Sequence, residues 1–346
     1  MTNSKIFTVL TTINSPDKRV SDWKKITQNE TIVIGDKKTP TSWNHPMCDY
    51  FSLSDQKKSG FTITNHLPEN HYTRKNIGYL YAIKNGANTI IDTDDDNFPL
   101  ILEWHNLLSC NFDANQHMCS EDITLKNIYS YFSNTEIPFW PRGFPLNLIN
   151  IEDSNIKSTD ITKIHTKDVG VWQCMVNGDP DIDAIHRLIY QKTPQFNNNR
   201  ALIMGKNIFC PFNSQNTIWI DPDFFPLLYL PSTVSFRFTD ILRGYIAQSV
   251  INSTSKNWGF FQPTSYQERN DHNLMNDFRS EVSMYSNMEE IFRIIFESCK
   301  STNSIVDNLT NCYTSLSINN FVKDEEHKIL NSWLTDLNSL QNISSD

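Results

Sequence analysis

One short stretch, Thr89–Asn97, joins an apolar run directly to a cluster of acidic side chains. Its apolar half, Thr89–Ile91, is β-branched and predicts a short buried strand. Its acidic half, Asp92–Asp96, places four carboxylates within five positions. Carboxylates this close repel one another unless a cation or hydrogen bonds compensate them. The chain must therefore either leave this segment in solvent as an acidic turn or fold so that something compensates the charge.

The spacing of the acidic residues suggests a metal site. In an extended segment, residues two apart project to the same side, so Asp94 and Asp96 are predicted to converge on one cation while Asp95 points away. Oxygen-only ligation suits Mg²⁺ or Mn²⁺, which often stay partly bound to substrate phosphates.

The chain before the acidic stretch has the pattern of an α/β fold. Strands are predicted at Ile6–Thr12, Thr31–Asp36 and Phe61–Thr64, with helices at 15–25 and 72–85. Sheets of this kind bind ligands at the carboxyl ends of their strands.

Two residues at predicted strand ends are candidates for ligand binding. Thr11 carries a hydroxyl at the end of the first strand, and Asp36 ends the second. Asp36 is expected to accept hydrogen bonds from a base or ribose, or alternatively to cap the turn before Lys37–Pro40.

Basic side chains occur where an anionic ligand could use them. Arg74 and Lys75 fall in the first turn of a predicted helix, where the helix dipole favours phosphate; the alternative is a solvated basic turn. Arg142 lies between prolines and aromatics in Phe139–Leu146, and it is expected either to clamp a phosphate or carboxylate or to stack on Trp140.

Later candidates are more ambiguous. Asp240 falls at a predicted helix start, where it would be a cap or a general base, and Arg243 follows one turn later. His272 is a possible metal or phosphate ligand, with a structural role as the alternative.

Composition limits the classes of function. The 346 residues are 38% hydrophobic and 12% aromatic, which indicates a folded chain. The net charge of −9 disfavours a nucleic-acid partner. The start, Met1–Ile6, lacks the apolar region of a signal peptide, no stretch approaches the length of a membrane span, and the seven cysteines form no Cys-x-x-Cys pair. We therefore expect a cytoplasmic protein with no membrane span and with reduced thiols; the sequence leaves open whether it forms a homo-oligomer.

The last part of the chain is predicted to be helical from about Ser286, where Ser286 and Glu289 form a capping-box pattern. We expect residues 281–346 to be a C-terminal helical extension that forms an accessory layer on a ligand-binding domain of residues 1–280.

Six ordered blocks in residues 5–280 resemble the STELLO family of glycosyltransferase-like proteins. They are Gly35–Pro40, Arg74–Ile83, Asp94–Asn97, Trp140–Leu146, Phe238–Tyr245 and Gln267–His272. A more distant likeness connects the acidic run, the Arg142 block and Asp240 with the reversibly glycosylated polypeptides, which are UDP-sugar mutases. Ile149 stands where that second pattern has another arginine.

The resemblance implies a nucleotide-sugar-binding fold of the GT-A type, with a mixed, mostly parallel sheet flanked by helices. Asp94 and Asp96 would be its Asp-x-Asp metal motif, binding Mn²⁺ or Mg²⁺. The implied activity is transfer of a sugar from a nucleoside-diphosphate sugar, most simply a UDP-sugar, to a glycan or other hydroxyl acceptor. The alternatives are a pyranose–furanose mutase and a non-catalytic scaffold that retains the fold.

On this hypothesis each candidate has a role. Asp240 would be the general base of an inverting enzyme, while Arg142 and Trp172 would shape the sugar or acceptor pocket. His272 would complete the contacts to the metal or phosphate. The remaining residues expected to contact the donor are Thr11, Asp36, Arg74, Lys75, Asp95 and Arg243.

Overall fold

The structure is a computed structural model, and it describes residues 5–27, 31–108, 112–117, 119–156, 161–165, 169–197, 200–268 and 273–343. Its strands are β1 (Ile6–Thr12), β2 (Thr31–Gly35), β3 (Asp49–Phe51), β4 (Thr89–Thr93), β5 (Asn97–Pro99), β6 (Asp113–His117), β7 (Thr124–Leu125), β8 (Ile161–His165), β9 (Val169–Asn177), β10 (Ala201–Ile203), β11 (Ile208–Phe209), β12 (Asn216–Trp219) and β13 (Asn257–Gln267). Its α-helices are α1 (Lys18–Thr27), α2 (Leu53–Lys57), α3 (Lys75–Lys84), α4 (Ile101–Leu108), α5 (Tyr129–Phe132), α6 (Ala184–Tyr190), α7 (Thr239–Asn252), α8 (Leu274–Ser298), α9 (Ile305–Ile318) and α10 (Glu325–Ile343).

Most strands of the described ranges belong to one mixed sheet. Its order is β3-β2-β1-β4-β12-β9-β13-β10-β6-β8, with β5 paired to β13. Strands β3, β2, β1 and β4 are parallel to one another. Strand β12 runs antiparallel to both β4 and β9, and β13 is parallel to β9. The carboxyl ends of β1, β2, β4, β9 and β13 therefore meet at one edge of the sheet.

The central strands are buried on both faces, which makes the protein three-layered. In β2, Ile32 and Ile34 pack on one face and Val33 packs on the other, as expected for side chains that alternate along a strand. The first face is covered by α3, α7 and the C-terminal helices, and the second by α1 and α4. The α/β class expected from the sequence is confirmed.

The early elements match their predicted positions, with one exception. Strand β1 and the strands at 31–35 and 89–93 form as expected. The strand predicted at Phe61–Thr64 is wrong, because Thr62–Asn65 form a short 3₁₀ helix. The cause is distant in sequence: the Asp336 carboxylate of α10 accepts hydrogen bonds from the backbone N–H groups of Thr62 and Ile63.

The C-terminal helices are part of the main core. Helix α8 begins at Leu274 with Asn273 as its cap, so the predicted start and capping box at Ser286 are wrong. The expected division after residue 280 falls inside this helix. Residues of α8, α9 and α10 share one hydrophobic cluster with β1, β2 and α3, which means these helices complete the core. None of the described helices is long and apolar enough to cross a membrane.

The long-range cap at Asp336 gives a stability prediction. This carboxylate is 4% exposed and lies 2.8 Å from the Thr62 nitrogen and 2.9 Å from the Ile63 nitrogen. Replacing Asp336 with Ala leaves those donors without an acceptor, which should cost about 1–3 kcal/mol of unfolding free energy. Denaturant unfolding measures the loss.

A matched control is Glu297→Ala, which removes a carboxylate from an exposed pair with Arg293 on α8. We expect that change to cost about 0.5 kcal/mol or less. Equal losses for the two variants would contradict the proposed role of Asp336.

Candidate functional site

A cleft of about 590 Å³ opens at the edge where the parallel strands end. Its walls come from segments that follow β1, β2, β4, β9 and β13, from the loop before β12 and from the start of α7. The cleft is lined by Thr11, Thr12, Ile13, Asn14, Ile34, Gly35, Asp36, Lys38, Asn70, His71, Tyr72, Arg74, Asp94, Asp95, Asp96, Arg142, Asp179, Pro180, Asp181, Arg187, Gln215, Phe236, Arg237, Asp240 and Gln267. This is the position at which α/β sheets bind ligands.

The acidic stretch forms a turn at the floor of this cleft. Strand β4 ends at Thr93, and the chain turns through Asp94–Asp96 before β5. The prediction that Asp94–Asp96 form an extended segment with side chains alternating in direction is therefore wrong. Asp94 and Asp96 nevertheless both line the cleft, because the turn brings all three acidic side chains to its surface.

Neighbouring side chains fix Asp94 and Asp96. The Tyr72 hydroxyl donates to Asp94 Oδ1 at 3.1 Å, and Gln267 Nε2 donates to Asp96 Oδ1 at 2.7 Å. Burial raises the pKa of Asp94 well above its usual range; Lys75 opposes this shift and the Asp96 carboxylate adds to it. Burial also raises the pKa of Asp96, against the hydrogen bond from Gln267. Both carboxylates thus sit where their negative charge is poorly compensated.

Asp95 is held by the end of the first strand. Its Oδ2 accepts hydrogen bonds from the Thr12 hydroxyl at 2.5 Å and from Asn14 Nδ2 at 3.0 Å. These bonds tie the acidic turn to the segment after β1. Thr11, the donor contact expected from the sequence, is half-buried and lines the same wall.

Lys75 and Arg243 lie beneath the acidic turn and do not line the cleft. Lys75 Nζ is 2.6 Å from Asp92 Oδ1 and 3.7 Å from Asp94 Oδ1, and it donates to the Thr93 carbonyl. Arg243 Nη2 is 2.9 Å from Asp92 Oδ2. Lys75, Arg243 and Asp92 are all buried. The expectation that Lys75 and Arg243 contact the donor directly is therefore wrong, and the two residues instead support the acidic turn from below.

Arg142 is saturated by the protein itself. Its Nε and Nη2 donate to the two oxygens of Asp181, at 2.8 and 2.9 Å. Its Nη1 and Nη2 donate to the two oxygens of Asp240, at 3.1 and 2.9 Å, and Nη1 also donates to the Arg237 carbonyl. A guanidinium has five N–H donors, and all five are used. The expected clamp on a ligand phosphate is therefore wrong, because Arg142 clamps two carboxylates of its own chain.

Asp240 is ionised by this arrangement. Burial acts to raise the pKa of Asp240, but Arg142, Arg243 and Arg237 together lower it below the usual value, and Arg142 contributes most among them. Helix α7 begins at Thr239 without a side-chain cap. The capping alternative is therefore wrong, and Asp240 faces the cleft as a paired carboxylate.

The wall formed after β2 carries Asp36 and Arg74. The Asp36 oxygens accept from the backbone N–H groups of Asn70 and His71, at 2.8 and 3.0 Å. Arg74 donates to Gln56 Oε1 and to the Leu67 carbonyl, and its Nη2 makes no hydrogen bond among the described residues. The exposed Lys38 lines the same wall.

The sequence also predicted site roles for Trp172 and His272. Trp172 is 2% exposed and packs against Phe112 and Phe261 on the face of the sheet that α1 and α4 cover. It does not line the cleft, because it packs in the hydrophobic cluster covered by α1 and α4. His272 lies outside the described residues.

Several cleft residues are not among those that the sequence assigned to the site. Tyr72 links Asp94 to Ser214 through a 2.5 Å hydrogen bond, and Phe236 is 56% exposed beside it. Arg187 pairs with Asp179 on the wall opposite the one that carries Asp36 and Arg74. The polar turn before α6 and the loop before β12 were the available signals, but neither specifies which side chains meet.

Arg237 shows how the C-terminal helices reach the cleft. Its Nε donates to Glu281 Oε1 of α8 at 2.7 Å. The other oxygen of Glu281 accepts from the backbone N–H of Ala184 at 3.0 Å, at the start of α6. Glu281 is completely buried, so α8 positions two separate parts of the cleft wall.

The acidic turn fits a divalent cation in the chemistry of its donors. Within the described ranges, no group of three His, Cys, Asp or Glu side chains is arranged to hold a metal. Asp94 and Asp96 offer carboxylate oxygens in a cleft open to a ligand, and burial raises the pKa of both carboxyl groups. A cation held here would need further oxygens from a ligand or from water, as Mg²⁺ commonly has.

Comparison with known proteins finds a matching family model and similar curated proteins. The family model of the STELLO glycosyltransferases matches residues 237–344, which include Asp240, Glu281 and helices α7–α10. Two Arabidopsis thaliana proteins, described as probable glycosyltransferases STELLO1 and STELLO2, are each 24% identical over 344 residues, covering 95% of this chain. The chain spans 44% of the length of each of these relatives. The chain is thus similar to these two STELLO proteins along most of its own length.

Proposed function

We propose that the protein is a metal-dependent glycosyltransferase with a GT-A-type fold, which uses a nucleoside-diphosphate sugar. The similarity to proteins described as glycosyltransferases supports the reaction class. The observation that carries the proposal is the acidic turn, Asp94–Asp96, at the floor of a cleft at the carboxyl edge of the sheet. The same cleft contains Lys38 and Arg74, which form no ion pair with any described residue, and Asp240, a carboxyl group whose pKa is lowered.

The donor would bind across the acidic turn and the wall after β2. Asp94 and Asp96 would hold Mn²⁺ or Mg²⁺ against its diphosphate. When bound, the cation would neutralise the charge of the departing diphosphate. Lys38 and Arg74 would supply positive charge near the nucleotide, and Asp36 would lie beside its ribose or base. A UDP-sugar is our proposed donor.

Asp240 is our candidate for activating the acceptor. The acceptor oxygen would bond to the anomeric carbon, the bond from that carbon to the diphosphate oxygen would break, and the diphosphate would leave with the electron pair. In an inverting reaction the acceptor proton would pass to Asp240. Because Arg142 lowers the pKa of Asp240, this carboxylate is a weak base, which suffices if the proton moves late, when the attacking oxygen has become acidic.

Asp96→Asn tests the acidic turn through stability. The raised pKa of Asp96 means that its charge destabilises the fold above that pKa and that the penalty disappears on protonation. A neutral Asn should therefore leave the melting temperature without ligand equal to or above that of the wild type. The variant should lose the stabilisation by Mn²⁺ with UDP, which for the wild type is about 2.7 kcal/mol at 100 times the dissociation constant.

Glu297→Gln is the control for this experiment, since it removes the same charge from an exposed site on α8. It should keep the full response to Mn²⁺ and UDP. An unchanged ligand response in Asp96→Asn would contradict the metal assignment.

The raised pKa values also predict a pH dependence of metal binding. Protons compete with the cation for Asp94 and Asp96 at a pH where ordinary aspartates are already ionised. Mn²⁺ affinity, measured by calorimetry with UDP present, should therefore weaken as the pH falls from about 7 to about 5. A constant affinity over that interval would show that carboxylates with ordinary pKa values bind the metal.

Asp240→Asn tests the acceptor side. We expect donor binding to be retained and turnover to fall about 10²–10⁴-fold, the usual worth of a general base. Turnover is measured by release of the nucleoside diphosphate, and donor binding by thermal shift. Retained turnover with unchanged donor binding would show that Asp240 is not the base.

A further inference from the structure

The two walls of the cleft differ in how their cations are compensated. On the wall after β2, Lys38 and Arg74 form no ion pair with any described residue. Arg74 donates only to the neutral oxygens of Gln56 and Leu67. This wall therefore has positive charge available for an anionic ligand.

On the opposite wall, each described arginine is already paired. Arg187 Nη1 lies 2.5 Å from Asp179 Oδ1. Arg142 is held between two aspartates, and Arg237 Nη2 lies 2.6 Å from Glu281 Oε1. Their side chains are largely buried, between 6% and 17% exposed, so solvent does little to weaken the pairs.

Paired charges of this kind select against a charged ligand. An anion that approached Arg187 would have to displace Asp179 or tolerate its repulsion in a partly desolvated place. Neutral hydroxyl groups carry no such penalty, because each can both donate and accept. The wall offers them carboxylate acceptors at Asp179 and Asp240 and an amide at Gln215.

We propose that the acceptor bound on this wall is a neutral, hydroxyl-rich carbohydrate, and that the Asp179–Arg187 pair excludes anionic sugars. The inference rests on the proposed glycosyltransferase function and adds the class of acceptor to it. The diphosphate of the donor would use the opposite wall, where the unpaired cations lie.

The experiment compares neutral and anionic acceptors in one reaction. The wild-type protein is incubated with Mn²⁺, a panel of UDP-sugars and an equimolar mixture of neutral oligosaccharides and the same oligosaccharides oxidised to uronic acids at C6. Mass spectrometry measures the products, and release of UDP measures donor consumption. We expect neutral products to exceed uronate products by at least about tenfold.

Two variants change the charge of the pair in opposite directions. Asp179→Asn leaves Arg187 uncompensated, so the ratio of uronate to neutral products should rise about tenfold. Arg187→Gln leaves Asp179 uncompensated, so that ratio should fall below the wild-type value. Calorimetry with methyl glucuronide and methyl glucoside should show the same order of affinities. Glu297→Gln, remote from the cleft, should leave the ratio unchanged.

The outcomes separate this inference from the function on which it rests. Equal or preferential use of the uronates by the wild type overturns the inference while the transferase function stands. Donor consumption with water as the only acceptor overturns it in the same way. If no UDP-sugar is consumed or bound, the proposed function fails and the inference fails with it. A ratio that is unchanged in both Asp179→Asn and Arg187→Gln overturns the role of the pair.

Discussion

The candidate site depends on one buried guanidinium. Arg142 uses all five of its donors on Asp181, Asp240 and a backbone carbonyl, and so joins the loop after β9 to the start of α7. A buried ion network of this kind contributes little net stability, but removal of one member leaves uncompensated charges and is strongly destabilising. The arrangement thus fixes geometry more than it adds stability. It also lowers the pKa of Asp240 inside the cleft, and the acceptor chemistry that we propose requires this carboxylate to be ionised.

A second buried network supports the acidic turn. Asp92, at 0% exposure, is neutralised from both sides by Lys75 and Arg243, so the strand can enter the core although it carries a charge. In the turn above it, Asp94 accepts from the Tyr72 hydroxyl and lies 3.7 Å from Lys75, and Asp96 accepts from the neutral amide of Gln267. The carboxylate below the turn thus contacts two cations, whereas Asp94 at its surface lies 3.7 Å from Lys75, the nearer of the two. That contrast separates a structural aspartate from the two that we propose to bind metal.

The sequence predicts the local elements of this site well, but it does not predict which side chains contact one another. The strands at Ile6–Thr12 and Thr89–Thr93 are local apolar runs, and the acidic turn follows directly from the second. Arg142 could not be assigned, because its partner Asp240 is 98 residues away. Trp172 was misplaced because β9 is buried on both faces, so the alternation of side chains along the strand did not indicate which of them reach the cleft. The misassigned strand at Phe61–Thr64 depends on an aspartate 273 residues later. For Arg142 and for the segment at Phe61–Thr64, a contact distant in sequence decided the structure.

The proposed activity requires a cation and a diphosphate to meet at the acidic turn. The most direct test is the anomalous signal of Mn²⁺ in crystals grown with UDP. We expect one manganese peak in contact with carboxylate oxygens of Asp94 and Asp96 and with diphosphate oxygens, and the uridine on the wall that carries Asp36 and Arg74. UDP bound in the cleft with manganese absent, or with manganese bound away from both aspartates, would contradict the proposal.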